Sequence, residues 1–117
     1  MVAMQEQAGV RWVCAGIGIE EREALSALRP QANAELVFVA APRGEYLSDV
    51  LLTVHRGEGE EHLLSVRTRG PICLLHLPAG RYRIEASRLG EHRALEFAGG
   101  RPDGAPQRTI LRFSEEP

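Results

Sequence analysis

From residue 34 onward the chain is a succession of short apolar or alternating runs separated by turn clusters about every eight to twelve residues, and no other feature restricts its fold as much. The runs are AELVFVAA (34–41), DVLLTVH (49–55), LLSVRTR (63–69), ICLLHL (72–77), RYRIEASRL (81–89), HRALEFA (92–98) and QRTILRF (107–113). The breaks PRGEYLS, RGEGEEH, GP, PAG, GE and GGRPDGAP concentrate glycine, proline and charge, the residues that turn a chain or keep it in water. A single sheet of seven such strands would leave one apolar face wet, so the pattern predicts two sheets packed as a sandwich. No long amphipathic crossover joins consecutive strands, and the pairing is therefore expected to be antiparallel and hairpin-based.

Alternation assigns the faces. Val50, Leu52 and Val54 share one side of their strand, as do Tyr82, Ile84 and Ala86, while Arg81, Arg83, Glu85 and Ser87 share the other. Leu111 and Phe113 are expected inside with Arg112 outside, and Ile72, Leu74 and Leu77 complete the predicted core. Before these strands, GIGIEEREALSALRPQ carries the one helical signal: Glu20 and Glu21 in the first turn, Ala24, Leu25 and Leu28 on one face, and Pro30 as a stop. It predicts a short helix over about 19–29. Residues 1–9, polar and without period, are expected to be disordered, leaving 10–117 as one domain.

A chain of 117 residues is long enough for one core without a metal to hold it. Its net charge of -2 arises from 14 arginines, with no lysine, and 16 acids interspersed along the sequence. Nucleic acids and anionic membranes need a concentrated basic field, so neither is an expected partner. No run reaches the roughly 20 apolar residues of a membrane-spanning helix, and MVAMQEQAGV has neither a basic start nor an apolar core of a signal peptide. Cys14 and Cys73 are too few for a disulfide framework and lack the spacing of zinc or redox sites; they form either one bridge or two buried thiols.

The segment ICLLHLPAGRYRIEAS is the sharpest local feature. Pro78 fixes its own φ and has no amide hydrogen, Gly80 tolerates positive φ, and together they reverse the chain while Leu77 plugs an end of the core and Tyr82 re-enters it. With DVLLTV upstream, the positions of Ile72, Leu74, Leu77, Pro78, Gly80 and Tyr82 resemble those of the carboxypeptidase regulatory-like domains and the wider prealbumin-like and Cna B-type sandwiches. WVCAGIGIEEREAL followed by such strands is also similar to small exported proteins of Gram-negative bacteria. The resemblance implies an all-β, seven-strand, immunoglobulin-like (prealbumin-like) sandwich in a periplasmic setting and implies no reaction. Without a signal peptide on the chain as written, a cytoplasmic location stays open. If the chain is exported, a Cys14–Cys73 bridge is expected.

Catalytic constellations are hard to assemble. GIG at 16–18 lacks the third glycine of a dinucleotide loop, because Glu21 stands in its place. His55, His62, His76 and His92 show no i, i+2 or i, i+4 pair for a metal, and Ser26, Ser48, Ser65 and Ser87 sit in no nucleophile elbow. The transthyretin-related hydrolases, which share the sandwich class, end in a Tyr-Arg-Gly-Ser tail, whereas this chain ends ILRFSEEP. The expected role is a non-catalytic binding or accessory module without a cofactor, its partner another envelope protein met through an edge strand or loops. A carbohydrate-binding module is the alternative, and needs two or more exposed rings. In PRGEYLS, Tyr46 and Leu47 between charged neighbours are the first candidate for a contact centre.

Overall fold

A computed structural model describes residues 2–100 and 105–114. Met1, 101–104 and 115–117, which include the centre of the GGRPDGAP break and the end of the ILRFSEEP tail, lie outside the described residues. The chain runs β1 (Gln5–Gln7), β2 (Val10–Ala15), α1 (Gly18–Leu28), a 3-10 turn (Arg29–Gln31), β3 (Ala34–Ala41), β4 (Glu45–Tyr46), β5 (Leu51–Arg56), β6 (Glu61–Arg67), β7 (Ile72–His76), β8 (Gly80–Arg88), β9 (Glu91–Gly99) and β10 (Gln107–Ser114). All seven expected strands and the helix are present. Three more, β1, β2 and β4, join them.

The expectation of disorder before residue 10 does not hold for Gln5–Gln7. This stretch pairs with β2 through Ala8 and Gly9, both at positive φ, in a two-residue hairpin. Its three side chains are all exposed, so it has no inward face to mark it in the sequence.

One sheet has the order β1-β2-β7-β3-β10, with β4 also on β3; the other has the order β6-β5-β8-β9. Pairing is antiparallel except between β3 and β10, which run parallel from Ala34↔Gln107 to Ala41↔Ser114. This corrects the all-antiparallel expectation. Consecutive strands lack a long crossover, but β3 and β10 are not consecutive, and the whole second sheet lies between them in sequence.

The two sheets face each other over one apolar cluster that contains Trp12, Leu36, Phe38 and Phe113 from the first and Leu52, Val54, Tyr82 and Ile84 from the second. A smaller cluster lies on the outer side of the first sheet, where Leu25 of α1 covers Val13, Ala15 and Leu74, with Ile72 packed against them. Here the face assignment is corrected. Cys73 and Leu75 point between the sheets, and Ile72 and Leu74 point to the helix. β7 is covered on both sides, and an apolar run such as ICLL carries no alternation to read. The helix begins without a side-chain cap on Ile17; instead Glu21 reaches back, its carboxylate accepting from the backbone N–H groups of Gly16 at 3.0 Å and Ile17 at 2.9 Å.

The Leu-Pro corner is held from three directions. Leu77 is fully buried, and the Tyr82 hydroxyl donates to the Pro78 carbonyl at 2.8 Å. Gly80 has φ +144°, and a Cβ on Gly99 would stand 2.2 Å from the Pro78 oxygen, so the end of β9 must be glycine for the corner to lie on it. Asn33, which the sequence reading passed over, closes the arrangement. Its side-chain amide donates to the carbonyls of Leu77 at 2.9 Å and Gly100 at 2.6 Å, and its oxygen accepts from the Leu77 N–H at 3.0 Å.

Candidate interaction surface

Tyr46 and Leu47 do not form a single anchor. Tyr46 pairs with Val39 on β3, and the Leu47 N–H donates to the Phe38 carbonyl at 2.9 Å. Strand alternation then sends Leu47 inward, half-buried against the intersheet core, and Tyr46 outward with 52% of its surface exposed. Of the two residues, Tyr46 is the one presented to solvent.

Around Tyr46 the outer face of the first sheet is built in rows set by the register. Tyr46, Val39 and Arg112 lie side by side; the next row is Ile72, Val37 and Ile110; the next is Leu74, Glu35 and Arg108. Val37 and Val39 are buried, whereas Ile110 on the edge strand is 44% exposed. A Cβ on Gly16 would lie 3.2 Å from the Ile72 Cδ1, so the corner between β2 and α1 sits against this same face, and Ile17 beside it is 59% exposed. The buried Glu35 carboxylate is paired with the guanidinium of Arg29. Arg108 and Arg112 flank Ile110 on the outer side of β10, and neither guanidinium has a carboxylate partner among the described residues.

The sheet edges are less available than a sandwich of this kind suggests. On β10, the Arg93 Nε donates to the Arg112 carbonyl at 2.8 Å, and the Ser114 N–H donates to Glu91 Oε1 at 2.7 Å while the Ser114 hydroxyl donates to the other carboxylate oxygen. Arg93 also stands 5.1 Å above the Phe113 ring. On β6, Gln7 donates to the Leu63 carbonyl at 3.2 Å, beside a bulge that breaks the register between Val54 and His55. Side chains that occupy edge carbonyls and amides hinder the addition of a foreign strand.

Ser114, through its hydroxyl and then its backbone N–H, holds the Glu91 carboxyl below its ordinary value. A carboxyl depressed in the folded state contributes stability above its unfolded value, about 4.3, and loses that contribution as pH falls through the folded value. The protection of the Ser114 amide, its exchange rate relative to the intrinsic rate at each pH, is therefore expected to fall as the solution is acidified through the carboxylate range, in step with the Glu91 carboxyl shift followed by NMR. Glu91→Gln should make that protection insensitive to the titration.

The second sheet presents an opposite, polar face. Across it the register aligns His62, His55, Arg83 and Glu96, and beside them Ser65, Thr53 and Glu85. The rings of His55 and His62 meet edge to face at 5.6 Å. The His62 Nε2 lies 2.9 Å from the Ser65 hydroxyl, and the His55 Nε2 lies 3.5 Å from Glu85. Arg83, bonded to Glu85 at 2.8 Å, holds that carboxyl below its ordinary value, and His55 acts in the same direction. An open groove of about 630 Å³ continues this face between Glu58, Glu60, Arg81 and Glu96.

Thus two of the four scattered histidines are brought together, by a hairpin whose bulge shifts one strand, which no sequence spacing shows. Among the described residues no three His, Cys, Asp or Glu side chains are placed to hold a metal ion. No described helix is long and apolar enough to cross a membrane.

Cys14 and Cys73 are directly opposed on β2 and β7, with a Cα–Cα distance of 4.1 Å, and are joined in a disulfide. The bridge fastens the first sheet beneath α1. It lies on the intersheet side of both strands.

No protein-family model matches the chain, and neither a curated protein nor a solved structure matches it.

Proposed function

We propose that the chain is a non-catalytic accessory module of the bacterial envelope, of the immunoglobulin-like or prealbumin-like kind, that binds another protein through the outer face around Tyr46. One observation carries the reading: of the six Phe, Trp and Tyr side chains, five are buried, and the sixth, Tyr46, stands exposed beside a floor of buried valines. An aromatic ring on an apolar floor with charged residues at its rim has the make-up of a contact centre. A disulfide between Cys14 and Cys73 suits an oxidising compartment, which supports a location outside the cytoplasm. A carbohydrate platform would need a second exposed ring, and the five other rings are committed to the interior.

The test is site-directed photocrosslinking in the source cell, with the crosslinking residue at position 46 and, as control, at position 62 on the opposite face. A discrete adduct from position 46 alone is expected. Tyr46→Ala should shift stability by no more than about 0.5 kcal/mol and weaken the captured complex at least roughly tenfold. Adducts of equal yield from both positions, or a complex indifferent to Tyr46→Ala, would overturn the assignment.

A further inference from the structure

We infer that this face is read by an extended acidic segment of the partner, with two carboxylates flanking one apolar side chain and seated over the outer side of β10; the inference rests on the choice of the Tyr46 face above. The outward side chains of β10 are, in order, Arg108, Ile110 and Arg112, each beside its register neighbour on β3. Five of the fourteen arginines are already engaged with carboxylates: Arg29 with Glu35, Arg56 with Glu61, Arg67 with Asp49, Arg83 with Glu85 and Arg93 with Glu91.

Arg108 and Arg112 differ in lying on one face with no carboxylate between them. Glu35, the register neighbour of Arg108 on β3, is buried and already paired with Arg29. Glu21, on the helix beside the same face, is held by the Gly16 and Ile17 amides. Among the described residues the surface therefore offers two guanidinium forks without a carboxylate partner, which favour carboxylates in paired geometry, with an exposed isoleucine between them and Tyr46 in the same row as Arg112, across Val39.

Four residues of strand separate the two guanidiniums, about 13 Å at strand rise. An extended partner spans that distance with acids at its own positions i and i+4 and an apolar residue at i+2. A helix would need about nine residues for the same span, and its intervening side chains would not fall on Ile110 alone. The same alternation of charge opposes self-association along this edge, because antiparallel β10 strands of two copies centred on Ile110 would set Arg108 against Arg112.

The test is a display selection of random dodecapeptides on the immobilised, disulfide-intact protein, followed by fluorescence anisotropy of the enriched peptides. Peptides carrying the acid-x-apolar-x-acid pattern are expected to be enriched, to bind at least tenfold more weakly to Arg108→Glu/Arg112→Glu, and to weaken as salt is raised. The alanine pair, Arg108→Ala/Arg112→Ala, should lose several-fold and guards against misfolding of the charge-reversed protein.

Enriched peptides that depend on Tyr46 but show no acidic pattern and ignore the arginine variants would overturn this inference and leave the Tyr46 face standing. Peptides indifferent to all three positions, or no enrichment, would overturn both. A single-stranded oligonucleotide or an anionic vesicle bound as tightly as the best peptide, or a dimer in sedimentation at the assay concentration, would also overturn it by naming a different occupant.

Discussion

Replacing Cys14 and Cys73 together with alanine is expected to lower the unfolding free energy by about 4 kcal/mol. The bridge closes a stretch with a sequence separation of 59, and in the chain-entropy description a loop of that size removes roughly this much freedom from the unfolded chain. The native state gives little back, because the two residues are already opposed in an antiparallel ladder and the strands stay paired without the bond. The total stability of such a domain is about 5–15 kcal/mol, so the loss is a large share of it. Urea unfolding of the oxidised protein beside the double variant measures the difference, and a thiol assay on the untreated protein should find no free sulfhydryl. A difference below about 1 kcal/mol would mean either that the bridge is not formed or that the unfolded chain keeps β2 near β7.

Strands β5, β8 and β9 are legible because each buries one face and leaves the other more open to water. Val54 beside His55 and Ile84 beside Glu85 advertise the sheet, its period and its inward side at once. The first sheet was harder to read. β3 is buried along nearly its whole length and β7 is covered by the second sheet on one side and α1 on the other, so AELVFVAA and ICLL identify strands without faces. That is why the sequence assigns Ile72 and Leu74 to the intersheet core, whereas Cys73 and Leu75 occupy it.

The parallel β3–β10 pair depends on contacts between the two ends of the domain, and no local pattern encodes them. The candidate surface is divided in the same way. Tyr46 was visible as an exposed aromatic in a charged loop, and Arg112 as an outward residue, but their nearness exists only because β4 and β10 both pair with β3 at Val39.

Asn33 has no signal of its own in the sequence, yet its removal is expected to be among the most costly single changes. It is a buried polar residue at the start of β3, and its side chain ties the Leu-Pro corner to the crossing that leads into β10. With Asn33→Ala the Leu77 carbonyl keeps one donor, the Gly100 N–H at 2.9 Å, but the Leu77 N–H and the Gly100 carbonyl lose the partners that Asn33 gave them. Buried groups left without partners cost about 1–3 kcal/mol each, so a loss of about 3–5 kcal/mol is expected.

Asn33→Asp separates this mechanism from a simple packing defect, because it keeps the shape and the acceptor for Leu77 while turning the two donor bonds into oxygen facing carbonyl oxygen. Burial and those carbonyls favour the protonated acid, which raises its folded value above the unfolded one, about 3.9. An acid raised in the folded state is least destabilising below its unfolded value, and stability is lost as pH rises through the folded value. The gap in urea midpoint between Asn33→Asp and the wild type should therefore be small near about pH 4 and widen steadily toward about pH 7. A gap that is constant with pH, or that narrows as pH rises, would show that Asn33 acts by volume and that the corner is held by Tyr82 and Gly99 without it.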